Sequence, residues 1–101
     1  MDMGQQVHIS YLGLVRNVIA CREENIDIVR DATIGQLLRL LIEKHGPPFR
    51  ESVFNQSGEL RSTAQVCVDD CDINELQGFG TKLGREEKVS ILVGVYPPEG
   101  G

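Results

Sequence analysis

Residues 33–48 read Thr33-Ile34-Gly35-Gln36-Leu37-Leu38-Arg39-Leu40-Leu41-Ile42-Glu43-Lys44-His45-Gly46-Pro47-Pro48, and this stretch decides the fold. Ile34, Leu37, Leu38, Leu41 and Ile42 recur at the i, i+3, i+4, i+7 and i+8 positions of a single apolar stripe, the signature of an amphipathic α-helix. Thr33 is placed to cap the first turn with its hydroxyl, while Gln36, three residues on, reaches back to complete a capping box. Gly46 is placed to end the helix in a left-handed conformation, and Pro47-Pro48 prevent its continuation. Lys44 and His45 then sit near the negative end of the helix dipole. Leu40 shares a side with Arg39 and Glu43, so it is either exposed or covered by the following loop. One such helix needs a surface on which to bury its stripe, and the flanking sequence supplies strands.

Upstream, Val7, Ile9 and Tyr11 alternate with His8 and Ser10 until Gly13 breaks the run, and Ile26 and Ile28 alternate with Asp27 and Val29. Both read as half-buried strands, joined as a hairpin whose connection holds residues 16–21. Downstream, residues 49–62 form an irregular connection in which Asn55-Gln56-Ser57-Gly58 reads as a turn. Gln65-Val66-Cys67-Val68 is a short strand ending in the acidic turn Asp69-Asp70, and residues 89–95 carry the longest strand signal in the chain. Between them Ile73, Leu76, Phe79 and Leu83 are spaced by glycines, as expected for a short helical turn and loop over a sheet edge. The expected architecture is α+β: a mixed four- to five-stranded sheet with one main helix on one face. It spans residues 7–95, with a flexible N-terminus at 1–6 and a flexible tail at 96–101.

Composition fits one such domain. The chain has 101 residues, 41% of them hydrophobic and 25% charged, which excludes disorder throughout. The longest uninterrupted apolar stretches are too short to span a bilayer, and the first six residues lack the basic start and apolar run of a signal peptide, so a soluble cytoplasmic protein is expected. Three cysteines, Cys21, Cys67 and Cys71, without a C-x-x-C spacing, suit reduced thiols. Ten basic against fifteen acidic residues give a net charge of −5, which argues against nucleic acid and favours a partner with a basic face.

Few residues carry chemistry. Cys67, in an alternating strand, reads as a small buried hydrophobe, and Cys71 lies among Asp69, Asp70 and Asp72, which disfavour its thiolate. Neither His8 nor His45 has a triad partner in sequence, and no zinc or calcium spacing is present. Gly78-Phe79-Gly80-Thr81-Lys82-Leu83-Gly84 is one residue off a dinucleotide fingerprint and lacks its strand-turn-helix setting. No convergent acid, base and nucleophile set marks an enzyme. The ending Tyr96-Pro97-Pro98-Glu99-Gly100-Gly101 admits two readings: a frayed terminus, or a narrow end without Cβ atoms at its last two residues that threads a partner's channel. Extended, those six residues span about 20 Å.

Taken in order, these segments resemble the ubiquitin-like β-grasp sulfur carriers, the family of the small subunit of molybdopterin synthase (MoaD) and the thiamine sulfur carrier (ThiS). The resemblance covers Val7 to Gly101. It is carried by Val7-His8-Ile9-Ser10-Tyr11-Leu12-Gly13, Ala32-Thr33-Ile34-Gly35-Gln36-Leu37-Leu38, Gly46-Pro47-Pro48-Phe49-Arg50, residues 66–73, Thr81-Lys82-Leu83-Gly84 and the Pro-Pro approach to Gly100-Gly101. The chain departs from the family pattern at Asp69-Asp70, where Asn-Gly is usual, at Glu86-Glu87, and in a tail one residue shorter between Pro98 and Gly100. The resemblance implies a protein substrate with no bound cofactor rather than an enzyme. An ATP-using, ubiquitin-activator-like enzyme would adenylate Gly101, and a sulfur donor would convert the adenylate to a thiocarboxylate, with Gly100 keeping the approach narrow in a tail that also holds Pro97 and Pro98. Tyr96, Phe79 and Leu83 are the implied partner contacts, core packing being the alternative for the last two. A molybdopterin synthase large subunit is one implied recipient; a tRNA base or an amino-acid precursor is another. Conjugation to lysines through Gly101 and a β-grasp interaction module with an inert tail are the competing readings.

Overall fold

The capping box forms as the spacing predicts. In the computed structural model, which describes residues 4–84 and 88–94, the Gln36 amide donates to Thr33 Oγ1 at 3.2 Å, and the Thr33 amide donates to Gln36 Oε1 at 2.9 Å. The chain order is β1 (Gly4–Gly13), α1 (Leu14–Ile19), β2 (Glu23–Val29), α2 (Ile34–His45), α3 (Pro47–Val53), β3 (Ala64–Val68) and β4 (Cys71–Asp72). Two 3₁₀ turns (Ile73–Glu75 and Gly78–Gly80) then lead to β5 (Lys88–Val93). The strands form one sheet in the order β2-β1-β5-β3-β4. Its two central strands, β1 and β5, run parallel, from His8 beside Lys88 to Gly13 beside Val93, and the remaining pairs are antiparallel. This is the β-grasp arrangement.

The core lies between the sheet and the helices. Val7, Ile9 and Tyr11 from β1, Val89, Ile91 and Val93 from β5, and Val66 from β3 meet Ile34, Leu37, Leu38 and Leu41 from α2, all buried. Leu40, by contrast, is exposed.

Three features differ from the sequence reading. β1 begins at Gly4 rather than Val7, because residues 4–6 continue the ladder to β2, with Gly4 opposite Val29. The hairpin connection contains α1, whose branched residues are weak helix formers and which is anchored by buried Val15. Pro47-Pro48 do not lead into loop: Gly46 ends α2 not in the expected left-handed conformation but at φ 78° and ψ −163°, an extended geometry open to glycine that turns the chain so that Pro47 opens α3, where a missing N–H costs nothing. α3 buries Phe49 and Val53, so the segment after Pro48 is a second helix before it becomes a turn. The acidic turn at Asp69-Asp70 is where the sequence places it: both residues take positive φ, as a two-residue turn joining β3 to the short β4 demands.

One carboxylate ties α2 to the sheet. Glu24, on β2 opposite Ile9, accepts from the Tyr11 hydroxyl at 2.6 Å, from the Lys44 ammonium at 2.5 Å and meets His45 Nε2 at 2.7 Å. The Tyr11, His45 and Phe49 rings pack on one another beside it, with centroids 5.9–6.4 Å apart. Burial alone would raise the Glu24 carboxyl, but hydrogen bonds from Lys44, Tyr11 and His45 outweigh it and hold it at about 2. Burial and the same carboxylate push the Tyr11 phenol well up.

Because Glu24 titrates lower in the folded chain than in the unfolded one, its contribution is complete above the ordinary carboxylate range and is lost as pH falls toward about 2. Glu24→Gln should cost about 1–3 kcal/mol at pH 7 by weakening bonds to buried partners. The gap between variant and parent in urea melts should narrow steadily from pH 5 to pH 2; a gap independent of pH would contradict this account.

Candidate functional site

β5 lies in the middle of the sheet, so the chain leaves the domain from a central strand. Among the described residues its last anchors are the ladder at Val93 and the hydrogen bond from the Gly94 amide to the Thr63 carbonyl at 2.8 Å. Beside this exit, β1 ends at Gly13, whose φ of 75° and ψ of −146° lie in a region open almost only to glycine. A Cβ at Gly13 would stand 2.2 Å from the Val93 carbonyl oxygen, so the two central strands approach there as only glycine allows. Tyr96, Pro97, Pro98, Gly100 and Gly101, named from the sequence, lie outside the described residues.

The sheet face turned away from α2 is polar over most of its area. His8 bridges Asn25 at 2.9 Å and Glu23 at 2.8 Å, and Gln65 donates to Asp72 at 2.9 Å. The exceptions are Val29, 58% exposed at the far end of β2, and a pair at the exit end, where Leu12 and Leu92 stand side by side in register, 43% and 36% exposed. Just past Gly13, Leu14 and Val18 on α1 are exposed as well. An apolar surface beside a chain exit suits a protein partner. The signal for it was present in the sequence: Leu12 and Leu92 are out of phase with the inward residues Tyr11, Ile91 and Val93, so their side chains had to point outward.

The predicted partner contacts separate. Phe79 is 39% exposed, as a contact residue should be, but it packs on Phe54 with ring centroids 6.1 Å apart, on the helix side of the sheet. Leu83 is 2% exposed and is not a surface contact. Its amide donates to the Ala32 carbonyl at 2.8 Å, which draws it into the core at the start of α2.

Nothing else near the exit is reactive among the described residues. The three cysteines are free thiols; burial and then the Glu24 carboxylate raise Cys21, and burial followed by Asp72 and Asp70 raises Cys67. Among the described residues there is no group of three or more His, Cys, Asp or Glu placed to hold a metal ion. Nor is any described helix long and apolar enough to cross a membrane.

No protein-family model and no curated protein matches the sequence. Solved structures do. SAMP1 from Haloferax volcanii superimposes with a TM-score of 0.78 at 21% identity, over 91% of this chain and 98% of that one. Urm1 from Trypanosoma brucei gives 0.75 at 19% identity, over 96% and 99%. A putative molybdopterin converting factor subunit 1 from Pyrococcus furiosus gives 0.71 at 18%, over 90% and 99%. The chain thus shares the ubiquitin-like β-grasp fold of these small proteins over nearly its whole length, as the resemblance drawn from its segments implied.

The close approach at Gly13 sets a measurable penalty. Gly13→Ala should destabilise by about 2–4 kcal/mol, since it adds a backbone clash to an unfavourable φ. Gly58→Ala, also at positive φ but with no atom within 4 Å of the new Cβ, should cost only about 1 kcal/mol. Equal losses in denaturant melts would remove the clash from the explanation.

Proposed function

We propose that this protein is a ubiquitin-like sulfur carrier whose last residue, Gly101, is the reactive end. The observation that carries the proposal is the geometry of the exit: the central strand of a β-grasp sheet delivers a Pro-Pro-Glu-Gly-Gly sequence from beside the exposed Leu12 and Leu92. In this reading the apolar end of the sheet docks on an activating enzyme while the residues beyond Gly94 enter its active site. The Gly101 carboxylate attacks the α-phosphorus of ATP, pyrophosphate leaves, and the resulting acyl-adenylate is electrophilic where the carboxylate was not. Hydrosulfide from a sulfur donor then attacks the acyl carbon and AMP departs, leaving a thiocarboxylate. The chain itself contributes no acid, base or metal to these steps; it positions an end that lacks Cβ atoms. The recipient of the sulfur is a biosynthetic enzyme of the molybdopterin synthase kind or one that thiolates a tRNA base.

A second fate has support from the fold neighbour named as an archaeal modifier protein, namely attack of a lysine amine on the acyl-adenylate, which expels AMP, loses a proton from the nitrogen and leaves an isopeptide bond. Of this chain's own three lysines, Lys44 is held by Glu24, which leaves Lys82 and Lys88 as better acceptors for self-conjugation.

Incubated with ATP, sulfide and a cognate activating enzyme, the intact protein should gain about 16 Da, one oxygen replaced by sulfur, and a variant lacking Gly101 should gain nothing. An unchanged mass beside an enzyme that is active on its own carrier would overturn the proposal. Leu92→Asp, assayed at a temperature where circular dichroism shows it still folded, should lower kcat/KM for adenylation by about tenfold or more, as expected for an anchor at an interface centre. Undiminished adenylation by this variant would move the docking surface elsewhere.

A further inference from the structure

On the helix side of the sheet, a groove of about 860 Å³ runs between α2, α3 and the turn after α3, and the carrier chemistry makes no use of it. Its apolar lining includes half-buried Ile42, Phe54 and the 39%-exposed ring of Phe79. Its rim carries Arg39, Arg50 and Arg61, all exposed, against a single acidic side chain, Glu51. Three positive charges less one leave the groove at +2 in a chain whose net charge is −5. Among the described residues, the Arg39 and Arg50 guanidinium groups have no hydrogen-bond or ion-pair partner. Arg61 spends one donor on the Glu51 carbonyl at 2.7 Å, which leaves the rest of its guanidinium fork free.

The groove is preformed. Buried Phe49 and Val53 hold α3, and with it Arg50, against the core. The Asn55 carboxamide oxygen accepts from the Ser57 amide at 2.8 Å and from the Glu59 amide at 3.1 Å, which fixes the turn after α3. A Cβ at Gly35 would stand 3.3 Å from the Phe79 carbonyl oxygen, so its absence lets the second 3₁₀ turn seat on α2 and lay Phe79 against Phe54. A preformed apolar lining between unpaired arginines suits an apolar side chain with carboxylates on either side of it. A nucleic acid fits worse, because its unbroken run of phosphates would meet the negative charge of the rest of the chain. We infer that this groove docks an acidic segment of a partner protein, with one aromatic or branched apolar side chain settling on Phe54 and Phe79 and flanking Asp or Glu carboxylates meeting Arg39, Arg50 and Arg61. Leu12 and Leu92 point from the opposite face of the sheet, so the groove stays open when that face is occupied, and two partners can hold the protein at once. The inference goes beyond the carrier reading and does not depend on adenylation of Gly101.

The test starts from an unbiased library and the full chain. Random dodecapeptides displayed on phage and selected at low salt should converge on an apolar residue flanked by Asp or Glu. A synthetic peptide of the selected sequence should shift the groove amides of Gly35, Asn55 and Gly58 in NMR, and its Kd should rise about tenfold or more on going to Arg39→Glu/Arg50→Glu. Both arginines are exposed, so the core amides of the variant should not move and the fold is its own control. The same peptide with its acidic residues replaced by lysine should bind the double variant more tightly than it binds the parent. A selection without enrichment of acidic residues, shifts confined to the Leu12 and Leu92 end, or an unchanged Kd for the double variant would each overturn the inference. So would an oligoribonucleotide that shifts the same amides more strongly than the peptide does, since phosphate would then be the ligand. A dimer in sedimentation that the double variant abolishes would overturn it as well, because the occupant would then be a second copy.

Discussion

The parallel pairing of β1 with β5 is the constraint on which the structure rests. It joins residues 8–13 to residues 88–93, so everything between them must fold as one long crossover that returns to the middle of the sheet. Such a ladder forms only after most of the chain has been organised, which makes it costly in loop entropy and dependent on the helix stripe that closes over it. Its reward is positional. The exit at Gly94 is flanked on both sides, by β1 through Gly13 and by β3 through Ala64, and its direction is set by two ladders rather than one.

Much of this was legible because local chemistry and long-range packing agree. The α2 stripe, its Thr33–Gln36 cap and the alternation in β1 are strong short-range signals, and the folded chain uses each for the purpose its pattern implies. What escaped was decided by contacts distant in sequence. α1 has poor helix formers and is held by Val15, while α3 opens on Pro47 because Gly46 redirects the chain, not because propensity asks for a helix. Leu83 reads equally as surface or core until its backbone is seen bound to Ala32. The outward Leu12 and Leu92 were readable in phase but acquire meaning only once the parallel register places them together at the exit.

Glu24 illustrates how a residue with no sequence signal becomes structural. It sits in the polar run before β2's apolar residues and reads as a solvated charge, yet its side chain is 11% exposed and holds a tyrosine from β1 together with a lysine and a histidine from α2. The helix C-terminus thus gains more than a favourable dipole, because Lys44 and His45 are fastened to the sheet by one acceptor. A buried carboxylate is tolerable here because each of its oxygens has a donor.

The two central strands also carry a mechanical consequence. β1 begins near one end of the chain and β5 finishes at the exit toward the other, and because they are parallel, tension between the two ends pulls them in opposite directions along their length. Such a load falls on all the ladder's hydrogen bonds together instead of opening them one at a time from an edge. A domain tethered through the residues beyond Gly94 while its first strand is held elsewhere therefore resists extraction as a rigid handle, and a machine that threads the chain from that end meets its hardest step at the start.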